Sequence, residues 1–281
     1  MQQTEFLDGV RILTIAQNVP GPLAVARLRQ AGAHVTKIEP PTGDPLLTLS
    51  PAWHAELHVG MAIERIDLKS DVGHERAMTL LRDVDVFITS QRPSLLTRLR
   101  LDSETLRSRI PTLRYLRILG SIRDPERPGH DLTYQAQCGL LGEEMPRTLV
   151  ADVMASERAF AGTLALVRQP PGSVMDVGLV ESLEPILASL RHGLTMPNGP
   201  LGGGAPQYRI YTAMAGRIAI AALEPHFETR LYQELGRPTR TDLSSCFLER
   251  TADQWEAWAR ERDLPIVAVR DVDRENGPST R

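Results

Sequence analysis

Lysine is almost missing from this chain: Lys37 and Lys69 are the two it has, so arginine supplies nearly all of its 32 cations. Against 35 acidic residues they leave a formal charge of -3, which removes any general electrostatic reason to bind nucleic acid or an anionic membrane. Cysteine is equally scarce. Cys138 and Cys246 have neither metal-ligand spacing nor a partner framework, so free thiols in a reducing compartment are expected. No run nears the roughly 18 apolar residues that span a bilayer. Met1 to Glu5 lacks the basic and apolar segments of a secretory leader, so a cytoplasmic protein is expected. No His/Cys cluster has ligand spacing, so no metal is expected. Neither an internal repeat nor a low-complexity block is visible.

What the 281 residues do contain suits a globular fold. Hydrophobic residues make up 42% and charged residues 24%, with a mean hydropathy of -0.20, enough for one large or two ordinary domains. Short apolar runs alternate with helical patterns over the first third, and further strands and helices follow. Strands are expected at Val10 to Ala16, Ala33 to Ile38, Ile63 to Leu68, Val84 to Thr89, Leu113 to Leu119 and Ser173 to Val177. Helices are expected over Pro22 to Ala31, Gly73 to Arg82, Ser156 to Val167 and Leu179 to Leu194, the last kinked by Pro185. Strands separated by helices imply a parallel sheet with right-handed crossovers, whose ligands sit at the carboxyl ends of the strands.

A smaller unit begins near the cluster Gly202-Gly203-Gly204. Paired strands Gln207 to Thr212 and Arg217 to Ala222 turn at Gly216. They precede a helix at Pro225 to Leu235, an amphipathic helix around Trp255 and Trp258, and a strand at Pro265 to Val269. The boundaries expected are therefore 1–195 for a large α/β domain, 196–270 for a small α+β domain, and a polar, disordered tail over 271–281. After the first strand, Gln17-Asn18-Val19-Pro20-Gly21-Pro22 has one glycine where a dinucleotide fingerprint needs three, which argues against NAD. A helix starting beside a strand end still suits a phosphate.

Six ordered stretches then carry a resemblance. They are Leu7 to Leu13 with Pro20-Gly21-Pro22 and Gly32 to Pro41; Asp67-Leu68-Lys69-Ser70 with Gly73; and Asp83 to Ile88 with Arg92-Pro93. The rest are Arg127 to Leu132, Gly202 to Tyr208 and Glu224-Pro225-His226-Phe227. In this order, from about residue 7 to about residue 269, they resemble the class III CoA-transferase and α-methylacyl-CoA racemase family (CaiB/BaiF type), and the racemases more closely. The resemblance implies a Rossmann-like parallel-sheet domain that binds coenzyme A, a smaller domain, and two subunits interlocked as a homodimer. It implies an acyl-CoA thioester as partner, with coenzyme A belonging to the substrate and no permanently bound cofactor.

Racemisation beside a thioester needs one group to take the α-proton and another to return one on the opposite face. The resemblance assigns those roles to His130 and Asp152, an imidazole and a carboxyl whose titration can be tuned toward neutrality. It sets Glu224 beside His130 as an orienting carboxylate. The CoA-contacting set it implies is Asn18, Lys37, Arg92, Gly129, Asp131 and Tyr208, with backbone N–H groups near Gly129 and Asp131 facing the enolate oxygen. A transferase would instead use Asp152 as a nucleophile toward the thioester carbonyl. His130 separates the two, because transferases of the family commonly have tyrosine there. Asp152 is also suited to capping the helix expected from Ser156.

Two departures stand out. The stretch between His130 and Asp152 is short for the family, and Ala151 to Ala155 lacks the glycines that usually follow the aspartate. The chain is also reduced after Val269. A third reading is therefore a CoA-binding scaffold protein without catalysis.

Overall fold

The structure is a computed structural model that describes residues 6–271. The residues read as a leader-free start, Met1 to Glu5, and all but the first residue of the expected polar tail lie outside the described residues. The chain divides into two compact units between Pro185 and Ile186. That division comes earlier than residue 195, inside a helix at the proline that interrupts it.

In the first unit, β1 (Arg11–Thr14) leads to α1 (Pro20–Gln30), β2 (His34–Glu39), α2 (Pro45–Leu49), α3 (Pro51–Leu57) and β3 (Ala62–Arg65). Next come α4 (Asp71–Arg82), β4 (Val86–Thr89), α5 (Pro93–Arg98), α6 (Ser103–Arg109) and β5 (Arg114–Leu119). The unit continues through α7 (Asp131–Gln137), α8 (Val150–Leu166) and β6 (Val174–Gly178) into α9 (Leu179–Arg191), which crosses the division. All six strands are parallel, in the order β3-β2-β1-β4-β5-β6. This is the Rossmann-like α/β fold the alternation predicts.

The central strands are near-continuous apolar runs because helices cover both faces of the sheet. Ile12, Leu13, Phe87, Ile88 and Leu116 are fully buried, whereas edge strand β3 is largely exposed. Phe87 meets Tyr115 edge-on with centroids 5.1 Å apart, and the Tyr115 hydroxyl donates to Leu101 O at 2.8 Å. Burial pushes that phenol well above its ordinary range, so it stays neutral and acts as a donor.

The second unit holds an antiparallel sheet of β7 (Tyr208–Thr212), β8 (Arg217–Ala221) and β9 (Ile266–Ala268), in that order. Its helices are α10 (Pro225–Glu234), α11 (Ser244–Phe247) and α12 (Ala252–Arg260). Tyr211, Ile218, Ile220, Phe247, Trp255 and Trp258 form its core. The Trp255 indole N–H donates to Phe247 O at 2.9 Å, so the largest apolar side chain also satisfies its polar atom. Thr251 and Gln254 cap α12 reciprocally, a pairing written in the spacing Thr-x-x-Gln.

The short helices α2, α3, α5, α6 and α7 are absent from the sequence reading. Each has seven residues or fewer, too few for periodicity to register. Three of them start at prolines, Pro45, Pro51 and Pro93, which favour the first turn of a helix.

Candidate active site

The sheet order reverses between β1 and β4, and in open parallel sheets ligands bind at such a point, beyond the carboxyl ends of the strands. Two cavities open there. One, of about 180 Å³, is mostly apolar and lies beyond β1, β2, β3 and β4, with Ile15, Ile38, Ile66, Lys69 and Leu95 in its wall. The other, of about 110 Å³, lies beyond β1, β4, β5 and β6 and is lined by Asn18, Ser90, Gly129, His130, Tyr134 and Asp152 among others. Gln17 belongs to both walls. Its backbone N–H donates to Ser90 Oγ at 3.0 Å, and its side-chain oxygen accepts from Gln91 at 3.3 Å.

Asp152 is buried in the first turn of α8. Burial first, and then the neighbouring charge of Asp131, push its carboxyl up to about 7. The helix starts at Val150, not at Ser156. Ala151 to Ala155, without the glycines usual in the family, favours helix over loop, and the cap comes from elsewhere in the chain. Asp131 Oδ1 accepts the backbone N–H of Ala151 at 2.7 Å and that of Asp152 at 3.1 Å. Its other oxygen accepts from the Gln135 amide at 2.5 Å. Asp152 therefore does not cap α8; Asp131 does. Asp131 was expected to contact coenzyme A, but it is buried and its oxygens are committed to these donors.

His130 is exposed at the N-terminal edge of α7. Thr133 Oγ1 accepts the His130 N–H at 3.0 Å and donates to the His130 carbonyl at 2.8 Å, which fixes the backbone while the imidazole lines the cavity. The loop that ends in His130 is tied down at both sides. Glu181 accepts from the Ser121 hydroxyl and from the Ile122 N–H, at 2.8 and 3.0 Å. Glu126 accepts from Ser94 N and Oγ at 2.7 and 2.8 Å. Glu181 thus anchors the loop.

Tyr134 lies under the same loop and was not singled out in the sequence. Burial first, then the charge of Asp152, raises its phenol above the ordinary value. A Cβ at Gly120 would sit 2.2 Å from the Tyr134 oxygen, and one at Gly129 would sit 2.7 Å from its ring. Both glycines are there because the phenol occupies the space of a side chain. Gly120→Ala is expected to displace Tyr134 and enlarge the 110 Å³ cavity, a change a crystal structure of the variant will show.

Of the remaining expected residues, Asn18 lines the cavity with its backbone in the left-handed region, φ 66°. Arg92 is exposed at the N-cap of α5, close enough for its charge to act on Tyr134. Lys37 was expected to meet the ligand but is in the wall of neither cavity. It is fully buried, its Nζ donating to Asp44 at 2.6 Å and to His58 Nε2 at 2.8 Å, with Glu39 at 3.2 Å. An ammonium can be buried only with partners of this kind. Glu39, Asp44, His54 and His58 bring together four donor atoms of metal-binding type, which sequence spacing does not reveal. The cation among them is Lys37.

Glu224 and Tyr208 belong to the second unit. Glu224 is exposed at the N-cap of α10, its carbonyl accepting from Glu228 N–H at 2.9 Å. Tyr208 opens β7 and lines a cavity of about 540 Å³ with Leu201, Ile210 and Ala221.

The geometry has counterparts. The sequence profile of "CoA-transferase family III" matches residues 7–275. The chain belongs to CoA-transferase family III. Its relatives carry two chemistries. A probable fatty acyl-CoA transferase of Mycobacterium tuberculosis is 29% identical over 96% of this chain and 88% of its own length. The α-methylacyl-CoA racemase of Mus musculus is 28% identical over 82% of this chain and 65% of its own length, so about a third of that enzyme has no counterpart in the match. A solved Mycobacterium tuberculosis protein of this fold superposes with a TM-score of 0.82 at 21% identity, covering 94% of this chain and 85% of the other. This member of the family is an α/β enzyme of acyl-CoA transferase or racemase type. Among the described residues no helix is long and apolar enough to cross a membrane.

Proposed function

We propose that this enzyme moves a proton at the α-carbon of a 2-methylacyl-CoA thioester, with Asp152 and His130 as the acid–base pair. One observation carries the reading. A carboxyl raised to about 7 and an imidazole line the same small cavity, and an acid–base catalyst works best when its pKa lies near the working pH. One of the two takes the α-proton, the electron pair delocalises onto the thioester oxygen as an enolate, and the other returns a proton to the opposite face. No bond to sulfur breaks.

In this reading the backbone N–H groups around Gly129 and Asp131 face the enolate oxygen. The acyl end occupies the cavity of His130 and Asp152, and the rest of the thioester passes Gln17 into the larger apolar cavity. Arg92 serves the phosphate-bearing part, Asn18 lines the acyl cavity, and Glu224 and Tyr208 keep the orienting and CoA-contacting roles that the resemblance implies for them. The enzyme acts as an interlocked homodimer in the cytoplasm. The transferase alternative needs Asp152 as an attacking carboxylate, a form that burial and Asp131 both disfavour.

The test is a single-enantiomer 2-methylacyl-CoA in deuterated water. The expected result is loss of optical purity with one deuterium gained at the α-carbon. Thioester exchange with a free carboxylic acid, without deuterium, would instead make the chain a transferase. His130→Ala is expected to slow deuterium incorporation roughly 10²-fold or more, and unchanged incorporation in that variant would remove His130 from the pair.

A further inference from the structure

We propose that Asp44 is a positioning residue for this reaction, holding the left-handed backbone of Asn18 in the wall that faces Asp152 and His130. The inference deepens the functional reading above and rests on it for its kinetic part. Its structural part can be tested without any turnover.

Asp44 lies in the wall of neither cavity and is buried, so any effect it has on substrate must pass through another residue. Its carboxylate serves three donors. Oδ1 accepts the Asn18 N–H at 3.0 Å and the Leu46 N–H at 2.9 Å, and Oδ2 accepts from Lys37 at 2.6 Å. The Leu46 bond caps α2, an ordinary role. The Asn18 bond is different, because it reaches across 26 positions of sequence to a residue with φ 66°. A residue other than glycine holds that conformation at a cost, and keeps it only where its surroundings dictate it.

The surroundings are a chain of buried charges. Lys37 is fixed by Asp44, Glu39 and His58. His58 must accept at Nε2, since its Nδ1 lies 2.6 Å from the His54 carbonyl and donates to it. Burial first, with Lys37 adding to it, lowers His58 below its ordinary value, which agrees with the neutral ring this pattern needs. His54 Nε2 in turn lies 3.0 Å from Glu39. Burial alone would raise Glu39, but His54 and Lys37 together bring it below its usual range. Every member of the network is therefore matched, and through the bond from Asp44 to Asn18 it reaches the wall that Asp152 and His130 share. That bond stiffens the turn between β1 and α1, where Gln17 and Asn18 stand side by side in the wall.

The experiment compares the full-length chain with Asp44→Asn, Asn18→Ala and Asn18→Gly. The parent chain has three asparagines, Asn18, Asn198 and Asn276, so ¹⁵N-asparagine labelling gives it three backbone amide signals; Asp44→Asn adds a fourth, which a double variant with Asn18→Ala tells apart from that of Asn18. The Asn18 variants identify one of them. In Asp44→Asn the Asn18 signal is expected to shift and to exchange with solvent at least about tenfold faster, because the amide turns its oxygen to the Lys37 ammonium and its NH2 to the Asn18 N–H, so that bond is lost. Deuterium incorporation is expected to fall about 10²-fold in turnover, with the KM for the thioester changed less than about threefold.

Asn18→Gly and Asn18→Ala both delete the side chain and differ in tolerance of positive φ. The glycine variant is expected to turn over about tenfold faster than the alanine variant, and this comparison decides the matter if Asp44→Asn fails to fold. An unmoved Asn18 amide in Asp44→Asn, turnover equal to the parent, or equal rates for the two Asn18 variants would each overturn the proposal. A parent chain that incorporates no deuterium would sink the functional reading instead. The amide signal would then decide alone whether Asp44 holds Asn18.

Discussion

At pH 8, Asp152→Asn is expected to be more stable than the parent chain while losing α-proton exchange by roughly 10³-fold. Both effects have one origin. In an unfolded chain an aspartate titrates near 3.9, whereas burial and the charge of Asp131 put Asp152 at about 7 in the fold. Between those values the folded chain keeps a proton that the unfolded chain has released. Stability therefore falls as pH rises through this window and levels off above it. The cost at pH 8 is about 4 kcal/mol at most, at 1.36 kcal/mol per unit, and a neutral amide of similar shape removes it. Urea unfolding of both chains at pH 8 and pH 5 checks the sign: the advantage of the variant should shrink toward low pH. A variant less stable than the parent at pH 8 would mean that the carboxylate is not destabilised by its surroundings.

Asp131→Ala is expected to damage the same site by the opposite route. Two buried N–H groups, of Ala151 and Asp152, lose their acceptor, which costs about 1–3 kcal/mol. The first turn of α8 carries Asp152, so exchange should fall roughly 10²-fold as the carboxyl loses its placement. Asp131→Asn separates geometry from charge. Its remaining oxygen still accepts both N–H groups, so stability is largely kept, but the like charge is gone. The pH–rate midpoint of Asp152 should then move to lower pH, with burial still holding it above the ordinary carboxylate range. A midpoint that stays where it was would remove Asp131 from the electrostatics of the site.

The sheet was legible because its strands are written as short β-branched runs between turns. Arg11–Thr14, Val86–Thr89 and Arg114–Leu119 are expected within a residue or two of where they lie. The resemblance also pointed to His130, Asp152, Asn18 and Gly129, whose positions the fold brings to the wall of one cavity. Gln17, Ser90 and Tyr134 escaped notice because their importance depends on which strands are neighbours. Only the reversal between β1 and β4 makes Gln17 common to two cavities. The surroundings of Lys37 were hidden for a related reason: its partners Asp44 and His58 are the residues that flank α2 and α3, two helices too short to be read from the sequence. The start of α8 was misplaced because its cap, Asp131, lies 20 positions upstream of the N–H it receives, beyond any local capping rule.

The most direct measurement is a titration of the Asp152 carboxyl itself, by carbon NMR on aspartate labelled at Cγ, with Asp152→Asn identifying the signal. The account predicts a midpoint near neutrality that falls in Asp131→Asn. A midpoint around 4 in the parent chain would contradict it, since the carboxyl would then titrate like a free aspartate and not near the working pH that suits an acid–base catalyst.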